Sequence, residues 1–88
     1  MLPDVKVESL KRLNYIEGHL SGVRKMLEAD QYCVDILKQT YAVQRAIDKL
    51  EDVLLKGHLS ACVPEGFAAG KADDVVAELS ELFTLARR

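Results

Sequence analysis

The stretch DQYCVDILKQTYAVQRAIDKLEDVLLKGHLSACV, residues 30–63, decides the fold of this chain. It contains no proline and only one glycine, Gly57, so little in it would interrupt a helix. Its apolar residues recur at intervals of three and four, which predicts a long amphipathic helix of about thirty residues. Pro64 follows directly and, because it cannot donate a backbone hydrogen bond, we expect the helix to end there.

The same stretch carries both cysteines of the chain and one of its two histidines. His58 and Cys62 are four residues apart, so an α-helix would place them on one face about one turn apart. Cys33 would lie roughly 37 Å from His58 along the helix, whereas nitrogen and sulfur bind metal at ~2–2.3 Å. One chain therefore cannot bring the three donors to one ion. We expect Cys33 to come from a second copy whose helix runs antiparallel, and two-fold symmetry then gives two equivalent sites per dimer.

The remaining sequence predicts two further helices. Apolar residues at helical spacing over residues 7–28 indicate a first helix with one buried face, formed by Leu10, Leu13, Ile16, Leu20, Val23 and Leu27. Asp30 is the expected N-cap of the long helix. Residues 64–70, PEGFAAG, are typical of a turn. A third helix should follow, with Asp73 and Asp74 at its N-terminus and Arg87 and Arg88 at its C-terminus. The chain is thus predicted to be all-α, a single domain over residues 1–88 with one long central helix of three.

Composition narrows the class of protein. With 88 residues, of which 49% are hydrophobic, the core is small enough that burial across a helical subunit interface is expected to supplement it. No apolar run reaches the ~18 residues of a membrane span, and no signal-peptide pattern is present, so we expect a cytoplasmic protein that has no membrane partner. On an unbroken helix the two cysteines are too far apart for an internal disulfide, which predicts reduced thiols. The sequence also lacks a nucleophile paired with a base and a phosphate-binding glycine loop, so neither an enzyme nor a small organic substrate is expected.

The net charge of −2 does not by itself indicate nucleic-acid binding. Basic residues nevertheless recur along one side of the long helix, interrupted by Asp52: Lys38, Arg45, Lys49 and Lys56. A solvated helix face is the ordinary explanation of such a stripe. The second histidine, His19, has no thiol or imidazole partner at helical spacing, and we expect a structural or surface role for it.

Four segments of the chain resemble the copper-sensitive operon repressor family, CsoR. They are RLNYIEGHLSGVRKMLE at 12–28, YCVDIL at 32–37, AVQRAI at 42–47 and HLSACV at 58–63, in the order and at the spacing of that family. The resemblance covers residues 10–63 and continues more weakly to the end. It implies a three-helix transcriptional repressor without a helix-turn-helix motif, assembled as a homodimer and then as a homotetramer, a dimer of dimers. The apo form would bind operator DNA and be released by cuprous ion, which derepresses copper efflux and handling genes.

Carried over to this sequence, the resemblance implies a trigonal Cu(I) site of Cys33 from one protomer with His58 and Cys62 from the other. Two thiolates and an imidazole suit cuprous ion better than nickel, which prefers more nitrogen and oxygen ligands. Tyr32 and Glu78 match positions that in relatives link to the non-coordinating nitrogen of the ligand histidine, and a metal-bound imidazole usually donates that N–H to an oxygen.

For operator DNA, the resemblance points to Arg12 and Lys49, with Arg45 and Lys25 as their neighbours. Phosphate contacts by such side chains would give affinity that falls with salt.

Two other functions remain open at this point. A copper-buffering protein would use the same ligands and bind no DNA. A thiol-modification sensor of the same superfamily, responding to persulfide, would need both cysteines but not His58. Zinc is a further possible occupant of the site, although tetrahedral zinc would want a fourth ligand.

Overall fold

A computed structural model describes residues 1–87, and these are almost entirely helical. The helices are α1 (Pro3–Glu28), α2 (Cys33–Gly57), a π-helical turn (His58–Cys62), α3 (Val63–Ala68) and α4 (Ala72–Ala86). Since α2, the π-helical turn and α3 follow one another without a gap, the chain has three helical segments and the central one, Cys33–Ala68, is the longest. This confirms the predicted all-α, three-helix protomer.

The turn between α1 and α2 is built differently from the prediction. Asp30 adopts a left-handed backbone with φ of 53°, and its N–H donates to Leu27 O at 3.1 Å. The Gln31 N–H donates to Met26 O, also at 3.1 Å, which completes a Schellman motif at the end of α1. The prediction that Asp30 caps α2 is therefore wrong, since Tyr32 is the N-cap residue of that helix. Asp30 instead donates its backbone N–H to a carbonyl group at the C-terminus of α1.

The helical chain continues through Pro64, where it was expected to end. The Val63 N–H donates to His58 O across a π-helical turn, and Pro64 occupies the first turn of α3, where a missing N–H is tolerated. Residues 64–70 were predicted as a turn, but only the segment after Ala68 leaves the helix. Gly70 has φ of 75°, and the Lys71 N–H donates to Gly66 O at 2.8 Å in a second Schellman motif.

Helix α1 packs antiparallel on α2, as contacts near both ends of the pair indicate. Val5 meets Gly57, and His19 Nε2 donates to Gln39 Oε1. The buried core between the two helices is small and consists of Ile16, Val23 and Val43. The other apolar residues predicted on the buried face of α1 are 38–58% exposed: Leu10, Leu13, Leu20 and Leu27.

Helix α1 begins at Pro3, four residues before the predicted start at residue 7, because proline is well suited to the first turn of a helix. Helix α4 has Asp73 and Asp74 in its first turn, as predicted, and ends at Ala86 with Arg87 as its C-cap; Arg88 lies outside the described residues. It returns along α3, where Val75 and Val63 are buried.

The protomer is elongated, with extents of 55 × 28 × 14 Å. Within residues 1–87, no helix is both long and apolar enough to cross a membrane.

Candidate functional site

The three predicted metal donors lie at opposite ends of one rod. Cys33 is the first residue of α2 and is exposed, whereas His58 directly follows the last residue of that 25-residue helix. At 1.5 Å per residue the two are about 37 Å apart. In the part of the chain that the structure describes, no group of three or more histidine, cysteine, aspartate or glutamate side chains is close enough to hold an ion. A single protomer thus contains two separate parts of the predicted donor set.

His58 and Cys62 form the larger part, on the π-helical turn. A π-helix has a wider turn than an α-helix, so its first and fifth residues remain neighbours on one side of the rod. Both residues are half-buried, and both line an open depression between this turn and α4. The chain therefore presents an imidazole and a thiol to the same space.

Helix α4 contributes a carboxylate to the imidazole. Glu78 Oε2 lies 3.8 Å from His58 Nε2, with the His58 side chain 30% exposed and that of Glu78 62% exposed. This separation is longer than a hydrogen bond but within the range of a charge interaction. The approach of α4 depends on Gly66 in α3, since a Cβ at this position would lie 2.5 Å from Val75 Cγ2.

Tyr32, the other residue expected beside the imidazole, lies at the opposite end of α2. It is the N-cap next to Cys33 and is 68% exposed. Of the two residues expected beside the imidazole, Glu78 is therefore the one that lies near His58 within one chain. Tyr32 and Cys33 are adjacent, so an antiparallel second copy that supplied Cys33 would bring Tyr32 with it.

Further acidic residues of α4 border the depression and were missed in the sequence. Asp74 and Glu81 line it together with Glu78. Their spacing of four and then three residues places them on one side of a helix, and this periodicity was the signal available in the sequence.

A basic depression lies between α1 and α2, away from the donors. Three of the four predicted DNA contacts line it, together with Lys11, Tyr15 and Glu8: Arg12, Arg45 and Lys49. Lys25 is in the last turn of α1, roughly 20 Å along the helix from Arg12, and it does not line this depression. Of the remaining stripe, Lys56 pairs with Asp52 at 2.9 Å.

Glu8 was not singled out from the sequence, yet its carboxylate is the nearest partner of a predicted DNA contact. Glu8 Oε1 lies 3.0 Å from Arg12 Nε. The available signal was the four-residue spacing of the two residues on a helix.

His19 belongs to neither site. Its Nε2 lies 2.7 Å from Gln39 Oε1, and its ring meets that of Tyr15 edge-on, with centroids 5.9 Å apart. The contact with Gln39 ties α1 to α2 and that with Tyr15 lies within α1, in agreement with the structural role expected for this histidine.

Comparison with known proteins identifies the family. The sequence model of the metal-sensitive transcriptional repressors matches residues 6–86. The chain belongs to this family. Among metal-sensitive repressors, the chain is similar to the copper-sensing transcriptional repressor CsoR of Mycobacterium ulcerans, with 40% identity over 78 residues, or 89% of this chain and 67% of the relative. It spans about two thirds of the length of the mycobacterial relatives that it matches.

Two solved structures of metal-sensitive repressors have a similar fold. One is the copper-sensing repressor CsoR with Cu(I) from Geobacillus thermodenitrificans, with a TM-score of 0.91 and 32% identity, covering 100% of this chain and 92% of that one. The other is the nickel-responsive transcriptional regulator InrS, with a TM-score of 0.72 and 32% identity, covering 88% and 86% of the two chains. The predicted family is confirmed, and it consists of transcriptional repressors rather than enzymes. Because structurally similar relatives respond to copper or to nickel, family membership alone does not select the metal.

Proposed function

We propose that this protein is a copper(I)-responsive transcriptional repressor of the cytoplasm, which binds operator DNA in its apo form and leaves it on binding Cu(I). One observation carries the proposal: Cys33 begins α2, while His58 and Cys62 immediately follow its end. An antiparallel pair of such rods would place the Cys33 thiol of one chain beside the imidazole and thiol of the other.

The chemistry of the donors supports copper over nickel. Cys33 and Cys62 both have free thiols, and each can bind a soft ion as a thiolate. Two thiolates and one imidazole form a soft set of low coordination number, which suits Cu(I), whereas nickel favours additional nitrogen and oxygen donors. The copper-sensing relatives agree with this choice of metal.

The shape of the protomer supports a homodimer that assembles into a homotetramer. Its radius of gyration is 17.2 Å, compared with about 12 Å for a compact chain of this length. Its accessible surface is 6869 Å², against roughly 5,200 Å² for a compact monomer of this mass. The excess includes apolar side chains on every long helix, such as Leu20, Leu37 and Phe83, each at least half exposed. Association would remove such surface from water.

His58 and Glu78 would couple metal binding to the position of α4. When His58 coordinates copper through one ring nitrogen, the N–H on the other can donate to Glu78, which already lies 3.8 Å away, and to Tyr32 of a second copy. Closing that distance would draw α4 towards the π-helical turn and change the shape of the tetramer that binds DNA. Replacing the N–H of His58 by N-methyl should then preserve copper affinity and abolish release from DNA.

The basic depression supplies the DNA contacts in this proposal. Arg12, Arg45 and Lys49 converge there from two helices, as contacts to adjacent phosphates of a duplex require. Lys25 would reach DNA only at a second position, about 20 Å along α1.

The decisive experiment begins with a duplex selected from a random library by the apo protein. Cu(I) is titrated into that complex, and DNA binding is followed by fluorescence anisotropy for the wild type and for Cys33→Ala, His58→Ala and Cys62→Ala. The wild type should dissociate, while each variant should bind DNA and remain bound when copper is added. Selection of no duplex would indicate a copper buffer instead, and release by polysulfide with His58→Ala fully responsive would indicate a persulfide sensor.

Subunit mixing tests the shared site itself. A heterodimer of one Cys33→Ala chain and one His58→Ala chain contains one complete donor set, Cys33 from the second chain with His58 and Cys62 from the first. A wild-type dimer has two equal sites by two-fold symmetry, so each heterodimer should bind half as many Cu(I) ions tightly. Refolding the two variants together should produce these heterodimers and so restore tight binding. No recovery on mixing would contradict a site built from two chains.

A further inference from the structure

Glu8 is the acidic residue of an otherwise basic depression. The depression between α1 and α2 is lined by four cationic side chains, Lys11, Arg12, Arg45 and Lys49, and Glu8 lies among them. Such a surface suits the phosphodiester groups of DNA, except that a fixed carboxylate repels them. Its presence there needs a physical explanation.

The carboxylate occupies one side of the Arg12 guanidinium. Glu8 Oε1 lies 3.0 Å from Arg12 Nε, and the two side chains are 43% and 37% exposed. The Nε atom itself is shielded from solvent, and its contact with Glu8 has the distance of an ion pair without the alignment of a hydrogen bond. A phosphate that binds arginine in a bidentate manner needs two N–H groups of the same guanidinium. At the Nε edge, Glu8 therefore places a negative charge beside the position that such a phosphate oxygen would take.

We propose that Glu8 is an internal competitor for DNA phosphate at Arg12 and thereby lowers the affinity of the repressor for its operator. The inference rests on the proposed function and adds a residue that limits binding instead of promoting it. Glu8 neutralises Arg12 in the free protein, so binding of DNA must separate the two side chains or place phosphate beside a carboxylate. Either event opposes binding in every subunit that contacts DNA, and the operator complex is then weak enough for a metal-induced change to disrupt it.

Glu8→Gln tests this directly because it removes the charge while nearly preserving the shape of the side chain. A like-charge contact at ~4 Å in water corresponds to a factor of about five in affinity, so apo Glu8→Gln should bind the operator roughly three- to tenfold more tightly per contacted subunit. The dependence on salt should also become steeper, by about one unit of the logarithmic slope for each arginine that is no longer neutralised.

Glu17→Gln is the matched control. It removes the same charge from the same helix, but nine residues further on, which is half a turn around α1, and Glu17 does not line the basic depression. Glu8→Gln/Arg12→Ala gives the second comparison, because loss of the arginine should abolish the gain. The wild type and these variants are measured by fluorescence anisotropy against the duplex selected by the apo protein, at several KCl concentrations. Cu(I) affinity is measured separately and should not change.

Tighter binding by Glu8→Gln alone, lost in the double variant, is the expected result. Unchanged or weaker binding by Glu8→Gln, with Arg12→Ala still impaired, overturns the inference and leaves the proposed function intact. An equal gain with Glu17→Gln also overturns it, since total charge would then be the cause. Failure of the wild type to select any duplex overturns the proposed function and this inference together.

Discussion

Replacing Gly66 by alanine should destabilise the protein although alanine is the better helix former. Gly66 lies within α3, and a Cβ built there would be 2.5 Å from Cγ2 of Val75. Ordinary carbon–carbon contacts are about 3.5–4.0 Å, so the two helices must separate by roughly 1 Å. Val75 cannot yield easily, because it is buried and its branched side chain is stiff at χ1.

The expected loss combines two opposing effects. Overpacking of a tight contact typically costs about 1–3 kcal/mol, and the better helix propensity of alanine returns about 1 kcal/mol. The net destabilisation should therefore be about 1 kcal/mol, or ~4–8 °C in Tm for a domain of this size. The same separation would carry Glu78 away from His58, so the proposed release from DNA by Cu(I) should weaken as well.

Urea denaturation followed by circular dichroism, at one fixed protein concentration, measures the effect. Gly18→Ala is the control, because the added Cβ would meet nothing within 4 Å in the described residues beyond its chain neighbours and the backbone of its own helix, and the substitution should stabilise α1 by up to ~1 kcal/mol. Val75→Ala should cost less in the Gly66→Ala background than in the wild type, which a double-mutant cycle detects. Equal stability of Gly66→Ala and wild type, with no coupling to Val75, would refute the close approach of α4.

Three further outcomes follow from the structure. Asp30→Gly should raise the free energy of unfolding by about 0.5–1 kcal/mol in the same urea assay, because φ of 53° strains any residue with a Cβ. A lower free energy of unfolding would contradict the left-handed conformation of Asp30. Glu78→Gln should retain Cu(I) affinity, measured by competition with a chelator, and release DNA incompletely; full release would contradict the route through His58. Arg12→Ala and Lys49→Ala should each weaken operator binding in anisotropy titrations and reduce the logarithmic salt slope by roughly 1, with Cu(I) affinity unchanged. Unaltered operator binding by both variants would contradict the proposed DNA-binding surface.

Much of the architecture could be predicted because the sequence is locally consistent. A long segment with helical periodicity and no internal proline specifies the central helix, and the spacing of Cys33 and His58 along it already separates the donors. The errors occurred where hydrogen bonds at a helix end, spanning three to five residues, decide the backbone against the usual preference of the residue type. Asp30 is a favourable N-cap by residue type, but its backbone takes part in the Schellman motif that ends α1. Pro64 breaks an α-helix in general, yet it is accommodated directly after a π-helical turn.

The candidate site was predictable by residue type and less so by arrangement. Periodicity identifies His58 and Cys62 as neighbours, but the approach of Glu78 depends on how α4 folds back onto Gly66, a contact between helices that no local pattern specifies. Burial of α1 was overestimated for a related reason. Residues such as Leu20 obey the periodicity of a buried face, whereas the single chain has too few neighbours to cover them.

The number of residues in the π-helical turn determines the orientation of the helices that follow it. It holds one residue more than an α-helical turn would, and its wider turn advances each residue by a smaller angle than the 100° of an α-helix. The five residues His58–Cys62 therefore turn the chain about as far as four residues of an α-helix. Deleting one residue between His58 and Cys62 should restore a regular α-helix and leave Gly66 facing α4. Inserting one residue there would rotate α3 by about 100° and turn Gly66 away from α4. An insertion in this short segment should therefore be far more damaging than a deletion, or than substitutions at Leu59 or Ser60, which are both exposed.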